Sequence, residues 1–263
     1  IILSKGRYIG NFVVNHGISL IGEPGAVIDA QGTGHALELK NSAISVKNLE
    51  IVNWGRDLTE QNAGIYSDQQ SSHITIENNR LEGDGFGVWL QKSEHATIKN
   101  NQVIGNTQLR SADRGNGIHI SSVHKSAISH NETSFVRDGI YVQASRNNTI
   151  EQNTMHDLRY GIHYMYSYDN SILNNSAFNT RAGYAMMSSR NLIIKGNTSR
   201  DSEDYGFLLN YITQSTISGN QIKNVWTKPD NKVLGRDGKG LFVYNSGYNT
   251  ISNNSVDTAE IGI

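Results

Sequence analysis

Cysteine is absent from all 263 residues. Disulfides, thiol catalysis, zinc–thiolate sites and iron–sulfur clusters are therefore excluded together. A soft metal ion would have to be held by methionine and histidine. The lack of cysteine is compatible with an oxidising compartment without establishing one. Proline is nearly missing as well, with only Pro24 and Pro229. Charge of either sign is not in surplus: the formal net charge is −1, so neither a nucleic-acid footprint nor a strongly acidic solvating chain is indicated. No apolar run approaches the length of a transmembrane helix. No signal peptide is visible at Ile1, as expected of a chain already trimmed or taken from a longer one.

What the sequence does contain is a repeat. Ile76, Ile98, Ile128, Ile150, Ile172, Ile194, Ile217 and Ile251 follow one another at spacings of 22, 30, 22, 22, 22, 23 and 34 residues. Three residues after each stands an asparagine: Asn79, Asn101, Asn131, Asn153, Asn175, Asn197, Asn220 and Asn254. Eleven or twelve residues before each stands a glycine, from Gly64, Gly87 and Gly117 through Gly139, Gly161, Gly183 and Gly206 to Gly240. A period near 22 with short alternating strands predicts an all-β fold, a right-handed parallel β-helix whose coils stack at the inter-strand spacing of ~4.8 Å. Isoleucine then fills the interior. Stacked asparagines satisfy one another at a bend. The glycines mark a bend with unusual φ/ψ or close backbone approach. Leucine-rich repeats have a similar period but need leucine and a helix, and neither is seen.

One β-helix domain over residues 1–263 is expected, with an opening coil or cap at 1–34 and repeats over 35–263. Residues 35–51 align as a further coil with Leu49 in the asparagine column. The chain stops at "EIGI" as another coil begins, so the repeat is expected to run on in the natural protein. The two long spacings hold insertions at 105–116 and 226–239. Both fall between the asparagine bend and the next glycine, so both loops should leave from the same side, which in solenoids is often the binding face.

The strand after each glycine alternates. Its first and third positions (Ile118, Ile140, Ile162; Ile120, Val142, Tyr164) are apolar and read as inward, as do Met155 and Met186. Its second and fourth positions then face out: Tyr66, Trp89, His119, Tyr141, His163, Ala185, Leu208 and Phe242, and Asp68, Gln91, Ser121, Gln143, Met165, Met187, Asn210 and Tyr244. An outward stripe carrying Tyr66, Trp89, Tyr141, Leu208, Phe242 and Tyr244 suggests a partner surface, or a face covered by another segment of the same protein. Within it, His163 and Met165 leave one strand on the same side, and Met187 lies one coil further on. One imidazole and two thioethers suit Cu(I), with His119, two coils away, as an alternate ligand. The opposing reading makes the methionines adaptable filler. A column of Arg137, Arg159 and Arg181 calls for an anionic answer, either Asp138 and Asp157 within the chain or an acidic sugar outside it.

"GDGFGVWL", "RDGIYVQASRNNTI", "RYGIHYMYSYDN" and "RAGYAMMSS" make the chain resemble the NosD proteins over nearly its whole length. The resemblance implies a periplasmic accessory protein without catalytic turnover, serving the maturation of nitrous oxide reductase. It implies work with the ATPase and membrane subunits of an ABC transporter, a membrane-anchored copper chaperone as donor, and delivery of copper or sulfur toward the reductase's copper–sulfide centre. It assigns no ligands. The alternative on the same scaffold is a lyase, epimerase or hydrolase of acidic polysaccharides, which needs paired carboxylates or a base beside a bound uronate. On the outward strand only Asp68 offers an acid.

Overall fold

The isoleucines separated by one period in sequence form one continuous column in space. In the computed structural model, which describes residues 1–229 and 237–263, Ile76 pairs in parallel register with Ile98, Ile98 with Ile128 and so on to Ile251. Val46 and Leu20 extend the column backward. The short strands that carry it, such as Thr97–Lys99 and Thr149–Glu151, make one parallel face of a right-handed β-helix of about 10 turns. The second face holds the strands after each asparagine, such as Gln102–Ile104 and Glu132–Ser134. The third holds the strands after each glycine, such as Phe86–Gln91 and Asp138–Gln143. In later coils these two faces join into long strands that run round the bend: Thr154–Met165, Ser176–Arg190 and Thr198–Thr213. Ile2 pairs with Ile21, and Tyr8 with Ile28, so the opening residues are already a coil in register.

The bends explain the repeat's polar letters. The residue before each column asparagine is left-handed: Asn78 (φ 57°), Asn100 (φ 55°), Asn174 (φ 53°) and Asn253 (φ 54°), with His130 and Gln152 taking the same conformation. Asparagine tolerates that region better than most residues. The column asparagine that follows is buried and fully used. The Oδ1 of Asn153 accepts from the backbone N–H of Asn131 at 2.9 Å and from its Nδ2 at 3.0 Å. Its own Nδ2 donates to the Ile128 carbonyl at 2.9 Å and to Asn175 Oδ1 at 3.0 Å. Leu49 joins the column as a donor only, through its backbone N–H to Asn79 Oδ1.

The glycine column has the second of its two expected causes. These glycines do not have positive φ. A Cβ on Gly161 would instead lie 2.5 Å from the Gly183 carbonyl oxygen and 2.7 Å from Ala177 Cβ. Backbone meets backbone from coil to coil there. Inside, Tyr164, Tyr184 and Phe207 are the largest fully buried side chains. Tyr184 stacks on Phe207 at 4.2 Å, and its hydroxyl donates to the Asn175 carbonyl at 2.8 Å. Val243, at the third position of the strand after Gly240 and so inward by the same alternation, is exposed, as is Ile251; both are the last members of their columns in this chain. Among the described residues no helix is long and apolar enough to cross a membrane.

Candidate functional site

The outer side of the third face is not the open stripe expected of it. Tyr66 and Trp89 are only 8% and 9% exposed and form a satellite cluster with Ala63 and Phe86, against which Leu58 packs. The Tyr66 hydroxyl donates to Gln61 Oε1 at 3.2 Å, and its ring stacks on His35 at 3.7 Å. The chain itself covers this half of the proposed partner surface, with the loop that carries Leu58 and Gln61. Tyr141, Leu208 and Phe242 are part-buried, and Tyr244 stands well out at 51%.

From Trp89 onward the column is a ladder of rings. His119 stacks on Trp89 at 3.8 Å and lies 4.6 Å from Tyr141, and Tyr141 meets His163 edge-on at 4.7 Å. Tyr141 therefore separates the two histidines. His119 and His163, expected to be outward and open, are 6% and 8% exposed because their neighbours' rings cover them.

The two histidines differ in what holds them. His119 has Asn116 Nδ2 3.1 Å from its Nδ1, while its buried Nε2 has no hydrogen-bond partner among the described residues. Burial pushes its pKa down to about 3. The unfolded chain takes up this proton near pH 6.5 and the folded one does not until near pH 3, so acidification through that window favours unfolding. We expect His119→Phe to remove about 2 kcal/mol of the stability lost between pH 7 and pH 4.5. Urea midpoints of parent and variant at the two pH values check this.

His163 is braced by a charge. Its Nδ1 lies 2.9 Å from Asp138 Oδ2, and Asp138 is 1% exposed. Arg159 donates to both oxygens of that carboxylate, Nε at 2.8 Å and an Nη at 2.7 Å. Burial alone would raise the Asp138 pKa; the hydrogen bonds from His163 and Arg159 outweigh it and hold it below the ordinary carboxylate value. An ionised carboxylate only accepts, so Nδ1 is the nitrogen that carries a proton toward Asp138, and in a neutral imidazole so held the lone pair lies on Nε2. Met165 pairs in register with Met187, both half-buried, and the Tyr141 hydroxyl lies 3.3 Å from Met165 Sδ. Among the described residues no three His, Cys, Asp or Glu side chains come together as a metal cage. A metal here would have to use the thioethers.

The arginine column is answered from within, though not wholly by the expected acids. Asp138 pairs with Arg159, and Asp204 takes Arg181 at 2.6 Å. Asp157 instead contacts His156 Nδ1 at 2.6 Å. Arg137 makes no ion pair among the described residues. The column fronts a groove of about 870 Å³ that Ser111 and Arg114 of the first insertion and Trp226 and Lys228 of the second also line. The two insertions thus share a side; residues 230–236 of the second lie outside the described residues. A second polar ladder went unread in the sequence: Ser145 Oγ accepts from Val123 N–H, Ser167 Oγ from Ser145 N–H and Ser189 Oγ from Ser167 N–H, each at 3.0 Å. Its signal is serine recurring every 22 residues.

The family model described as "Periplasmic copper-binding protein (NosD)" matches residues 105–263, and "Right handed beta helix region" matches residues 11–123. Over 99% of its length the chain is 52% identical to the "Probable ABC transporter binding protein NosD" of Pseudomonas aeruginosa and 48% identical to that of Stutzerimonas stutzeri. It spans 61% of the length of each. Among solved structures, the Streptococcus pneumoniae adhesin PfbA superposes with a TM-score of 0.72 at 11% identity, covering 100% of this chain and 90% of that one. An alginate lyase from Paenibacillus sp. str. FPU-7 gives 0.68 at 15% identity, covering 95% and 91%. At such identities these likenesses establish the fold alone.

Proposed function

The chain belongs to the NosD family, and from that premise we propose that it carries Cu(I) as cargo at His163, Met165 and Met187. The observation that supports this most is the Asp138–His163 hydrogen bond at 2.9 Å. Metal-binding imidazoles commonly donate their second ring N–H to a carboxylate, which fixes the tautomer and leaves the other nitrogen basic. Nε2 has no competing partner among the described residues. Thioethers beside it favour a soft monovalent ion over a hard one. Both methionines are half-buried rather than enclosed, which suits an ion that must be received and passed on.

The wider role follows as part of the same proposal. The protein acts in the periplasm with the ATPase and membrane subunits of an ABC transporter. It receives copper from a membrane-anchored chaperone and serves nitrous oxide reductase, supplying copper, sulfur or both for the copper–sulfide centre. It does so without catalytic turnover. An enzymatic reading would need an acid or base free to act, and the groove's carboxylates are engaged: Asp157 by His156 and Asn179, Asp201 by Arg200 and Asn224.

Titration with Cu(I) against a competing chelator tests the site. The combined variant His163→Ala, Met165→Ala, Met187→Ala should bind about 100-fold more weakly than the parent, or worse. His119→Phe should stay within about twofold of the parent, because Tyr141 stands between it and the site. Equal affinity of the triple variant and the parent removes the assignment.

A further inference from the structure

We propose that the groove beside the arginine column binds an acidic oligosaccharide. Arg137, Arg159 and Arg181 occupy one position in three consecutive coils, so their backbones are spaced at ~4.8 Å. Asp138 and Asp204, both buried, neutralise the second and third. Arg137 is left with its charge unanswered among the described residues, on the groove wall. A guanidinium offers a carboxylate two parallel donors, and that of Arg114, which also lines the groove without an ion pair among the described residues, is already engaged by the Leu109 and Phe135 carbonyls.

Alongside runs a second column of alternating carboxylates and amides. Asn179 donates to Asp157 at 3.3 Å and Asn224 to Asp201 at 3.0 Å. Each carboxylate keeps acceptor capacity, and each amide keeps an acceptor oxygen. Trp226 also lines the groove, with half its surface (52%) exposed.

These features select among ligands. A polyanion with nothing but charge would find the cations partly answered, Lys228 by Glu203 and Arg181 by Asp204, and would leave the amides and the indole unused. An apolar peptide would find few apolar side chains there, Leu158, Ala112 and Trp226, set among charged and polar ones. A uronic-acid chain matches all three elements: carboxylates for Arg137, hydroxyls for the acid–amide column, and an apolar ring face for the indole. One sugar unit is also about as long as one coil is thick. The proposal does not rest on copper binding, although Arg159 of this wall also holds the Asp138 that braces His163.

Calorimetric titration of the chain with tetragalacturonate tests it, with neutral galacto-oligosaccharide and poly-glutamate as comparison ligands. Tetragalacturonate should bind, and Arg137→Ala and Trp226→Ala should each weaken it about tenfold or more. Both variants should keep the parent's urea midpoint and Cu(I) affinity. The proposal is overturned if tetragalacturonate gives no binding, if the neutral sugar binds equally, or if neither variant weakens it. Tighter binding of poly-glutamate would overturn it too, reassigning the groove to an acidic peptide.

Discussion

Asp138→Ala should weaken Cu(I) binding about 10- to 100-fold and destabilise the fold by about 3–5 kcal/mol. Both effects come from one carboxylate. It is the partner of Arg159 and of His163 Nδ1, and it is 1% exposed. Its removal leaves a part-buried guanidinium without its counter-ion, and breaking one side of a buried pair costs more than the pair contributes. The same loss frees the imidazole to rotate and to move its proton to Nε2, the nitrogen needed for metal. Asp138→Asn separates the two consequences: it keeps the shape but can no longer accept from both partners as an anion. Chelator competition reads the affinity, urea denaturation the stability, and ¹⁵N shifts of the imidazole the tautomer. If Asp138→Asn leaves affinity and tautomer as in the parent, the bracing argument fails. The pH dependence has a defined sign. The folded pKa of Asp138 lies below its unfolded value, so its contribution is present above the unfolded value and is lost as pH falls through the folded one.

Asn153→Leu should cost about 3–5 kcal/mol, although leucine is apolar and similar in size. Four hydrogen bonds pass through this side chain. Without them the backbone N–H of Asn131 and the carbonyl of Ile128 stay buried with fewer partners, and each group left unsatisfied costs about 1–3 kcal/mol. The damage should stay local, since each coil touches only its neighbours. Hydrogen exchange should therefore speed up most at Asn131, whose N–H loses its acceptor, and least in the first coils. A loss below about 1 kcal/mol in urea would mean that the neighbouring amides re-pair across the gap.

The solenoid is legible in the sequence because its determinants are one-dimensional. Ile128 and Ile150 meet only because they are one period apart, and the same holds for Asn131 and Asn153. The site is less legible. Alternation along the strand correctly puts His163 and Met165 opposite Ile162 and Tyr164, but it says nothing about what covers them. That depends on side chains reaching sideways: Leu58 onto the Trp89 cluster, Arg159 and His163 onto Asp138. Asp138 is adjacent to Arg137 yet pairs with Arg159, 21 residues on, because the coil stack, not the chain, makes the neighbour. The answer to Arg181 came from Asp204 for the same reason. Glycine shows the limit in another form: its recurrence signals a constraint, and only coordinates distinguish left-handed backbone from crowding.

The crowding at the glycines has a mechanical consequence. Where the Gly161 backbone rests against Gly183 with no room for a methyl group, the rise between coils has a hard floor beside the strands of His163, Met165 and Met187. These side chains sit on a stiff ruler that cannot shorten to grip a load or close around it. On the proposal that they hold copper, exchange would then require a partner advancing on the half-buried methionines, or the rod swinging as a whole.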